Sequence, residues 1–219
     1  MSSVLAVFAR APELGRVKTR LARTHGEKFA LEIARAMLLD TLELCAQIEV
    51  PTRLFLTPDD SDASSLWSGE VHSQGGGDLW TRLLRADSLL RDEGFTRVVI
   101  VGSDAPDLSP SLLKAAFASL ETRPLVVGPS LDGGFYLLGS ARRLPDELFE
   151  DVPVSSRETL ARLTDNLHKL RRRDFEFRSL GAWRDVDDEE DLRLFIERLG
   201  EHKNAAPCCR AVLKNRNLI

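Results

Sequence analysis

Two short runs of apolar residues constrain the fold of this chain more than any other feature. Val4–Ala9 is almost continuously apolar, and Arg97–Gly102 reads RVVIVG, which is rich in β-branched residues and closes on a glycine. A strand with apolar side chains on both faces must be covered on both sides, as the strands of parallel sheets are. The two runs therefore predict a sheet that lies between layers of helices.

Stretches with helical periodicity alternate with such runs. Residues 26–49 place Phe29, Ile33, Met37, Leu44 and Ile48 on one stripe. Further helices are predicted over 78–93, 109–120, 156–171 and 188–199, and further strands over 52–57, 125–128, 135–139 and 175–180. This alternation predicts a three-layer α/β/α sandwich with a mostly parallel sheet. Residues 1–199 form one domain in this prediction, and 200–219, which lack a clear period, form a tail that is either mobile or loosely packed.

Charge and composition limit the partners of the chain. Its 30 Lys and Arg residues face 34 Asp and Glu residues, a net charge of -4, so no overall positive field attracts nucleic acid or a membrane. The apolar start of the chain is too short to span a bilayer and lacks the basic residues of a signal peptide. The odd number of cysteines shows no CxxC spacing. We therefore expect a cytoplasmic protein without nucleic-acid or membrane partners.

A cation-rich segment follows the first strand. Residues 10–21, RAPELGRVKTRL, hold four cations and one acid, with Gly15 open to close approach by a ligand. Such cations, together with the positive end of a following helix, can neutralise a polyphosphate. The segment matches neither the Walker A nor the GxGxxG motif. A solvated loop whose arginines pair with surface carboxylates therefore stays open as the alternative.

Carboxylates follow the central strand and precede the last predicted helix. Asp104 ends a fully apolar strand, where a carboxylate is costly to desolvate unless it is paired or bound to a metal. In the run of six acids at 185–191, Asp185 and Asp187 would point to the same side of an extended segment. One of them could complete a two-carboxylate Mg²⁺ site with Asp104. Alternatively, Asp104 caps a turn and the acids only begin a helix.

Two glycine-rich segments each allow two interpretations. Gly75-Gly76-Gly77-Asp78 either leads into a helix with Asp78 as its N-cap or wraps a base or sugar. Asp132-Gly133-Gly134 is either a structural hairpin turn or a place where a ligand approaches the backbone.

Hydrolase chemistry is disfavoured, because the histidines are dispersed and no GxSxG motif is present.

Five motifs in a fixed order carry a family resemblance. They read FARAPELGRVKTRL, QGGGDLWTRL, GSDAPDL, GPSLDGGFYLLG and DVDDEEDL, and they span about residues 4 to 199. In this order and spacing they resemble a bacterial family of radical-SAM/selenodomain-associated transferases. That family lies within the GT-A glycosyltransferase-like, nucleotide-diphospho-sugar transferase superfamily, which also includes 2-phospho-lactate guanylyltransferase.

The resemblance implies a GT-A, Rossmann-like α/β/α sandwich that binds a nucleotide together with Mg²⁺ or Mn²⁺. The implied nucleotide-binding residues are Arg10, Gly15, Lys18, Arg20, Gly75, Gly76, Asp78 and Ser103. The implied metal ligands are Asp104 and Asp187, and Asp132, Gly133 and Gly134 would bind the second substrate. The chain also departs from the family pattern: Trp80 replaces a glycine, Phe135 another aromatic residue, Val154-Ser155-Ser156 a Trp-Ser-Thr, and Asp188 a threonine.

The leading hypothesis for function is nucleotidyl transfer. An acceptor phosphate or hydroxyl would attack the α-phosphorus of a nucleoside triphosphate, with Lys18, Arg20 and Asp104 as catalytic residues and pyrophosphate as the product. The alternatives are glycosyl transfer from a nucleotide sugar and a nucleotide-binding module without catalysis. The base, the acceptor and the oligomeric state do not follow from the sequence.

Overall fold

A computed structural model describes residues 2–58, 65–171 and 176–219 of the 219-residue chain. The strands are β1 Ser3–Arg10, β2 Thr52–Thr57, β3 Glu70–Ser73, β4 Arg97–Gly102, β5 Leu125–Pro129, β6 Phe135–Ser140 and β7 Phe177–Ser179. Among the described residues these form one seven-stranded sheet in the order β3-β2-β1-β4-β6-β5-β7. Only β6 in this sheet runs antiparallel to its neighbours, so the prediction of a mostly parallel sheet is confirmed.

Helices cover both faces of the sheet. They are α1 Thr19–His25, α2 Glu27–Ala46, α3 Leu79–Asp92, α4 Pro110–Ser119, α5 Thr159–Arg171, α6 Glu189–Glu201 and α7 Pro207–Asn215, with a 3-10 helix at Asp146–Phe149. Two of them begin at residues whose side chains cap the helix. Ser109 caps α4 ahead of Pro110, and Asp188 caps α6 in a capping box with Asp191. None of the described helices is long and apolar enough to cross a membrane.

The apolar strands divide their side chains between two cores, as the pleat requires. Leu5, Val7, Val99 and Val101 pack with α2 and α4, whereas Val4, Ala6, Val98 and Ile100 pack with α3 and α5. The two central strands thus bury both faces, which is why they lack polar alternation. The three-layer α/β/α sandwich predicted from the sequence is confirmed.

Two elements differ from the sequence prediction. Residues 10–21 are predicted as a loop, but α1 already begins at Thr19, so Arg20 lies on a helix. This helix has only seven residues and buries Leu21 alone, too little to show a stripe. The edge strand β3 was missed because its EVHS sequence has no apolar alternation. The predicted strand 175–180 is observed as Phe177–Ser179, and position 175 lies outside the described residues.

The C-terminal segment corrects the prediction of a mobile or loosely packed tail. Residues 207–215 form α7, whose Cys209 and Leu213 are fully buried in a third core beside α2 and α6. The buried Asp40 of α2 accepts hydrogen bonds at 2.8 Å from the backbone N–H groups of both Cys208 and Cys209. The sequence does not reveal this helix, because its cap comes from a residue about 170 positions earlier in the chain.

Candidate functional site

An open pocket of about 1130 Å³ lies beyond the carboxyl ends of β1 and β4. From β1 the chain continues to β2 on one side, and β4 lies on the other side, which makes this the point where open α/β sheets bind ligands. The predicted site residues that line the pocket are Arg10, Lys18, Arg20, Ser103, Asp104, Asp132, Gly133 and Asp187. The fold therefore brings residues from four distant segments to one crevice.

Lys18 lies between the two predicted metal ligands. Its Nζ donates to Asp104 Oδ1 at 2.6 Å and to Asp187 Oδ1 at 2.7 Å, and its side chain is 8% exposed. Burial disfavours the charged ammonium, but Asp104 and Asp187 outweigh that cost and hold the pKa of Lys18 above its usual range. Lys18 is therefore a charged ammonium at neutral pH.

Asp185 is a third carboxylate at this edge. Its Oδ2 accepts a hydrogen bond from Ser130 Oγ at 2.9 Å, while its Oδ1 is buried with no partner in the described part of the chain. Burial, with the charge of Asp104 adding to it, raises the pKa of Asp185 to about 7. The sequence left Asp185 and Asp187 as alternatives, and the structure gives them different surroundings: Asp187 contacts Lys18 and Asp185 contacts Ser130.

The donors at this edge fit a hard divalent cation. The side chains of Asp104 and Asp187 are 50% and 43% exposed, and Mg²⁺ is typically held by one or two carboxylates plus phosphates and water. Across residues 2–58, 65–171 and 176–219, no group of three or more Asp, Glu, His or Cys side chains stands close enough to hold a metal by itself. A cation here would therefore take its remaining ligands from a nucleotide and water.

The cationic residues of the pocket differ in their pairing. Arg16 pairs with Glu13 at 3.3 Å, as the solvated-loop alternative predicts. Arg10 and Arg20 are exposed and form no ion pair within the described ranges, although Arg10 Nη1 donates to the Arg16 carbonyl at 3.2 Å. Two unneutralised guanidinium groups thus face the same pocket as Lys18, as expected of a site for an anionic ligand.

Several predicted nucleotide-binding residues do not line the pocket, namely Gly15, Gly75, Gly76 and Asp78. Asp78 Oδ1 accepts from the backbone N–H and the hydroxyl of Thr81, at 2.9 and 2.7 Å, so its interpretation as the N-cap of α3 is confirmed. Arg85 supports the loop by donating to the carbonyls of Gln74 and Gly76. Contacts from this loop to a base or ribose stay a prediction.

The turn at 130–134 packs against the segment before α5. Gly133 has φ +97°, and a Cβ there would lie 2.4 Å from the Arg157 carbonyl oxygen. Its own carbonyl accepts from the Leu160 N–H at 2.8 Å. Gly134 donates its N–H to Asp132 Oδ1 at 2.9 Å and does not line the pocket. The glycine at 133 is thus required by close backbone packing, whereas Asp132 and Gly133 both face the pocket.

Two of the departures from the family pattern contact each other. Trp80 is buried and stacks on Phe149 with ring centroids 4.9 Å apart, and on Phe135 at 6.1 Å. Its Nε1–H donates to the Val152 carbonyl at 2.7 Å. The large side chain at position 80 therefore helps to hold the chain just ahead of Val154.

Other pocket residues were not predicted as site residues, and they include Leu131, Ser155, Ser156, Arg157 and Arg184, all from loops. Leu131 lies within the fourth motif, and Ser155 and Ser156 lie at a departure from the family pattern, whereas no motif marks Arg157 or Arg184. Asp107, by contrast, proves structural: its buried carboxylate accepts from Arg198 at 2.6 Å and from the Trp183 Nε1–H at 3.2 Å. It ties the loop after β4 to α6 and to the segment that carries Asp185 and Asp187.

Sheet order and pocket position together define the fold of the nucleotidyl and nucleotide-sugar transferases. A candidate nucleotide-diphospho-sugar transferase from Desulfovibrio desulfuricans G20 is 28% identical, with a TM-score of 0.88 over 100% of this chain and 96% of that chain. CMP:2-keto-3-deoxy-manno-octonic acid synthetase in complex with CTP is 14% identical, with a TM-score of 0.55 over 92% and 100%. A manganese complex of a Mycobacterium tuberculosis H37Rv protein is 18% identical, with a TM-score of 0.52 over 90% and 99%. The last two show the fold alone.

The chain belongs to the DUF2064 family, described as uncharacterized proteins conserved in bacteria, whose model matches residues 38–156. A comparison with curated proteins finds no match to this sequence. The matched residues contain β4 with Asp104 and the turn with Asp132 and Gly133, but they end before Asp187.

Proposed function

We propose that this protein is a metal-dependent nucleotidyltransferase that moves a nucleoside monophosphate from a triphosphate to a small phosphorylated or hydroxyl acceptor. The observation that carries this proposal is the buried Lys18 ammonium between Asp104 and Asp187, in one pocket with Arg10 and Arg20, which form no ion pair with any described residue. A triphosphate is the nucleotide group with the most negative charge, and Arg10, Lys18 and Arg20 would bind it in this pocket. The resemblance of the five motifs also supports a place in the radical-SAM-associated branch of transferases.

The chain's own residues take distinct roles in this proposal. Arg10, Lys18 and Arg20 bind the phosphates, and Lys18 with Arg20 stabilises the charge on departing pyrophosphate. Asp104 and Asp187 would hold Mg²⁺ or Mn²⁺, which when bound supplies neutralisation of phosphate oxygens. An acceptor that is already an anionic phosphate needs no protein base, in keeping with a pocket lined by no histidine.

Glycosyl transfer is the second candidate, and one observation favours it. The 28% identical relative from Desulfovibrio desulfuricans G20 carries a sugar-transferase description. In that reaction the diphosphate of a nucleotide sugar would leave, and the bond broken would be at the sugar carbon. The same cations would then stabilise a nucleoside diphosphate instead of pyrophosphate.

The product identifies the reaction. The protein is incubated with Mg²⁺, each nucleoside triphosphate or nucleotide sugar, and a panel of phosphorylated acceptors. Pyrophosphate supports nucleotidyl transfer, nucleoside diphosphate supports glycosyl transfer, and a thermal shift without any product supports a binding module. Lys18→Met is expected to lower turnover by about 10² to 10³-fold, whereas Lys114→Met, at an exposed position of α4, is expected to leave it unchanged. Equal turnover in both variants would remove Lys18 from the reaction.

A further inference from the structure

One exposed apolar side chain lines the candidate site, and a second lies beside it in the chain. Among the described residues, the large apolar side chains that are exposed are Leu14, Leu131, Val154 and Ile219. Leu131, which is 58% exposed, lines the pocket, and Val154, which is 42% exposed, directly precedes a residue that lines it. An exposed leucine in the lining of a polar pocket offers a contact surface for a hydrocarbon part of a ligand.

The two segments that carry Leu131 and Val154 are fixed to each other. The Gly133 carbonyl accepts from the Leu160 N–H at 2.8 Å, and a Cβ at Gly133 would contact the Arg157 backbone. Thr159 Oγ1 donates to the Pro153 carbonyl at 2.7 Å and so fixes the chain on both sides of 154–157. The segments 131–133 and 154–157 therefore form one preorganised wall of the pocket.

A cation without an acidic partner lies on the same wall. Arg157 lines the pocket, is exposed and forms no ion pair in the part of the chain that the structure describes. Arg184 also lines the pocket, but Asp191 neutralises it at 3.0 Å. A free guanidinium beside apolar side chains binds a phosphate or carboxylate in two-pronged geometry, and the apolar side chains contact what is attached to it.

We propose that residues 131–133 and 154–157, here named the acceptor wall, bind a phosphate monoester whose organic part is apolar next to the phosphate. Arg157 binds the phosphate, and Leu131 and Val154 contact the hydrocarbon. This inference rests on the proposed nucleotidyl transfer. In that reaction an acceptor phosphate oxygen forms a bond to the α-phosphorus, the bond between the α-phosphorus and its bridging oxygen to the β-phosphate breaks, and that oxygen leaves with pyrophosphate.

Binding of simple probes tests the acceptor wall directly. Calorimetry with the full chain and Mg²⁺ measures the Kd of butyl phosphate, glycerol 3-phosphate, butyrate and butanol. Butyl phosphate is expected to bind at least about tenfold more tightly than each of the others, because only it combines phosphate with hydrocarbon. Equal binding of glycerol 3-phosphate would overturn the role of Leu131 and Val154, and equal binding of butyrate would overturn the preference for phosphate.

Variants separate the two halves of the wall. Arg157→Gln is expected to weaken butyl phosphate at least about tenfold with the Kd of a nucleoside triphosphate unchanged. Leu131→Ser is expected to reduce the preference for butyl phosphate over glycerol 3-phosphate. Arg162→Gln, at an exposed position of α5 outside the pocket, is the control. Unchanged butyl phosphate binding in Arg157→Gln, or an equal loss of triphosphate binding, would overturn the proposal.

The two proposals fail in different ways. If butyl phosphate binds through Arg157 but no phosphorylated acceptor yields pyrophosphate, nucleotidyl transfer is wrong and the acceptor wall is supported. If pyrophosphate forms but the Kd of every phosphorylated acceptor is the same in Arg157→Gln as in the wild type, the function stands and the acceptor wall is wrong.

Discussion

Asp185→Asn replaces a buried carboxyl group that has a hydrogen-bond partner for only one of its two oxygens among the described residues. In the wild type, Oδ2 accepts from Ser130 Oγ at 2.9 Å, and the buried Oδ1 has no partner among the residues the structure describes. An amide has the same shape, and its oxygen can keep the Ser130 hydrogen bond. The substitution therefore tests the charge itself.

The pKa of Asp185 sets the size and sign of the effect. A solvated aspartate titrates near 3.8, and burial together with Asp104 raises the pKa of Asp185 to about 7. Between these values the folded protein binds a proton that the unfolded chain has lost. The wild-type free energy of unfolding therefore falls as pH rises, by about 1.4 kcal/mol per pH unit from this group. The variant lacks this pH dependence. Its free energy of unfolding relative to that of the wild type is therefore expected to rise by about 2 to 3 kcal/mol from pH 5 to pH 7.

Urea unfolding between pH 5 and pH 8, with EDTA to remove divalent cations, measures this difference. Asp132→Asn is the matched control, because Asp132 lies in the same pocket but is exposed. Its difference from the wild type is expected to stay within about 0.5 kcal/mol over this range. If the difference between Asp185→Asn and the wild type also stays constant over this pH range, the inference that burial raises the pKa of Asp185 is refuted.

Three other substitutions test the supports of the pocket and the core. Gly133→Ala places a Cβ 2.4 Å from the Arg157 carbonyl oxygen at φ +97° and is expected to cost about 2 to 4 kcal/mol in urea unfolding. Asp40→Ala leaves two N–H groups at the start of α7 without their acceptor and is expected to cost about 2 to 3 kcal/mol in the same assay. Trp80→Phe loses a hydrogen bond to a main-chain carbonyl and part of two ring contacts, and we expect about 1 to 3 kcal/mol lower stability by thermal unfolding.

Matched controls exist for the first two substitutions. A Cβ at Gly76 would meet no atom within 4 Å, so Gly76→Ala is expected to change stability by less than about 1 kcal/mol. Glu43→Ala removes an exposed acid from α2, the helix that carries Asp40. Equal stability of the two alanine variants at 133 and 76 would contradict the packing of the turn on Arg157, and equal stability of those at 40 and 43 would contradict the cap. A wild-type melting temperature for Trp80→Phe would contradict the support by Trp80.

The sequence predicted those parts of the fold whose stability comes from local pattern. The bounds of β2 and β4 are as predicted, because apolar runs buried on both faces begin and end sharply. Elements that depend on distant contacts were missed. The strand β3 is polar and exists through pairing with β2, and α7 exists through its cap and its packing on α2. Short elements of this kind carry no periodicity of their own.

The candidate site also contains some residues that the sequence could predict and others that it could not. Lys18, Asp104 and Asp187 could be predicted as neighbours, because each follows or precedes a strand or helix at the same edge of the sheet. The buried state of Asp185 could not, since it depends on Ser130 from another loop. No motif marks Arg157, and its position beside the pocket depends on the packing of Gly133 against its backbone.

The acids of the site are brought together by contacts that do not involve Lys18. The Val186 N–H donates to the Asp104 carbonyl at 2.8 Å, and Asp107 binds Arg198 of α6 at 2.6 Å, so two segments some 80 positions apart are joined on either side of the carboxylates. Asp104 and Asp187 are thus neighbours whether or not a cation separates them, and Lys18 offsets their repulsion. The same ammonium lines the pocket together with Arg10 and Arg20. One arrangement of charges therefore gives Lys18 a structural role, and it would also place the ammonium to bind a phosphate in the proposed complex. The net charge of -4 does not reveal this arrangement, because the sum counts cations and acids without regard to where they meet.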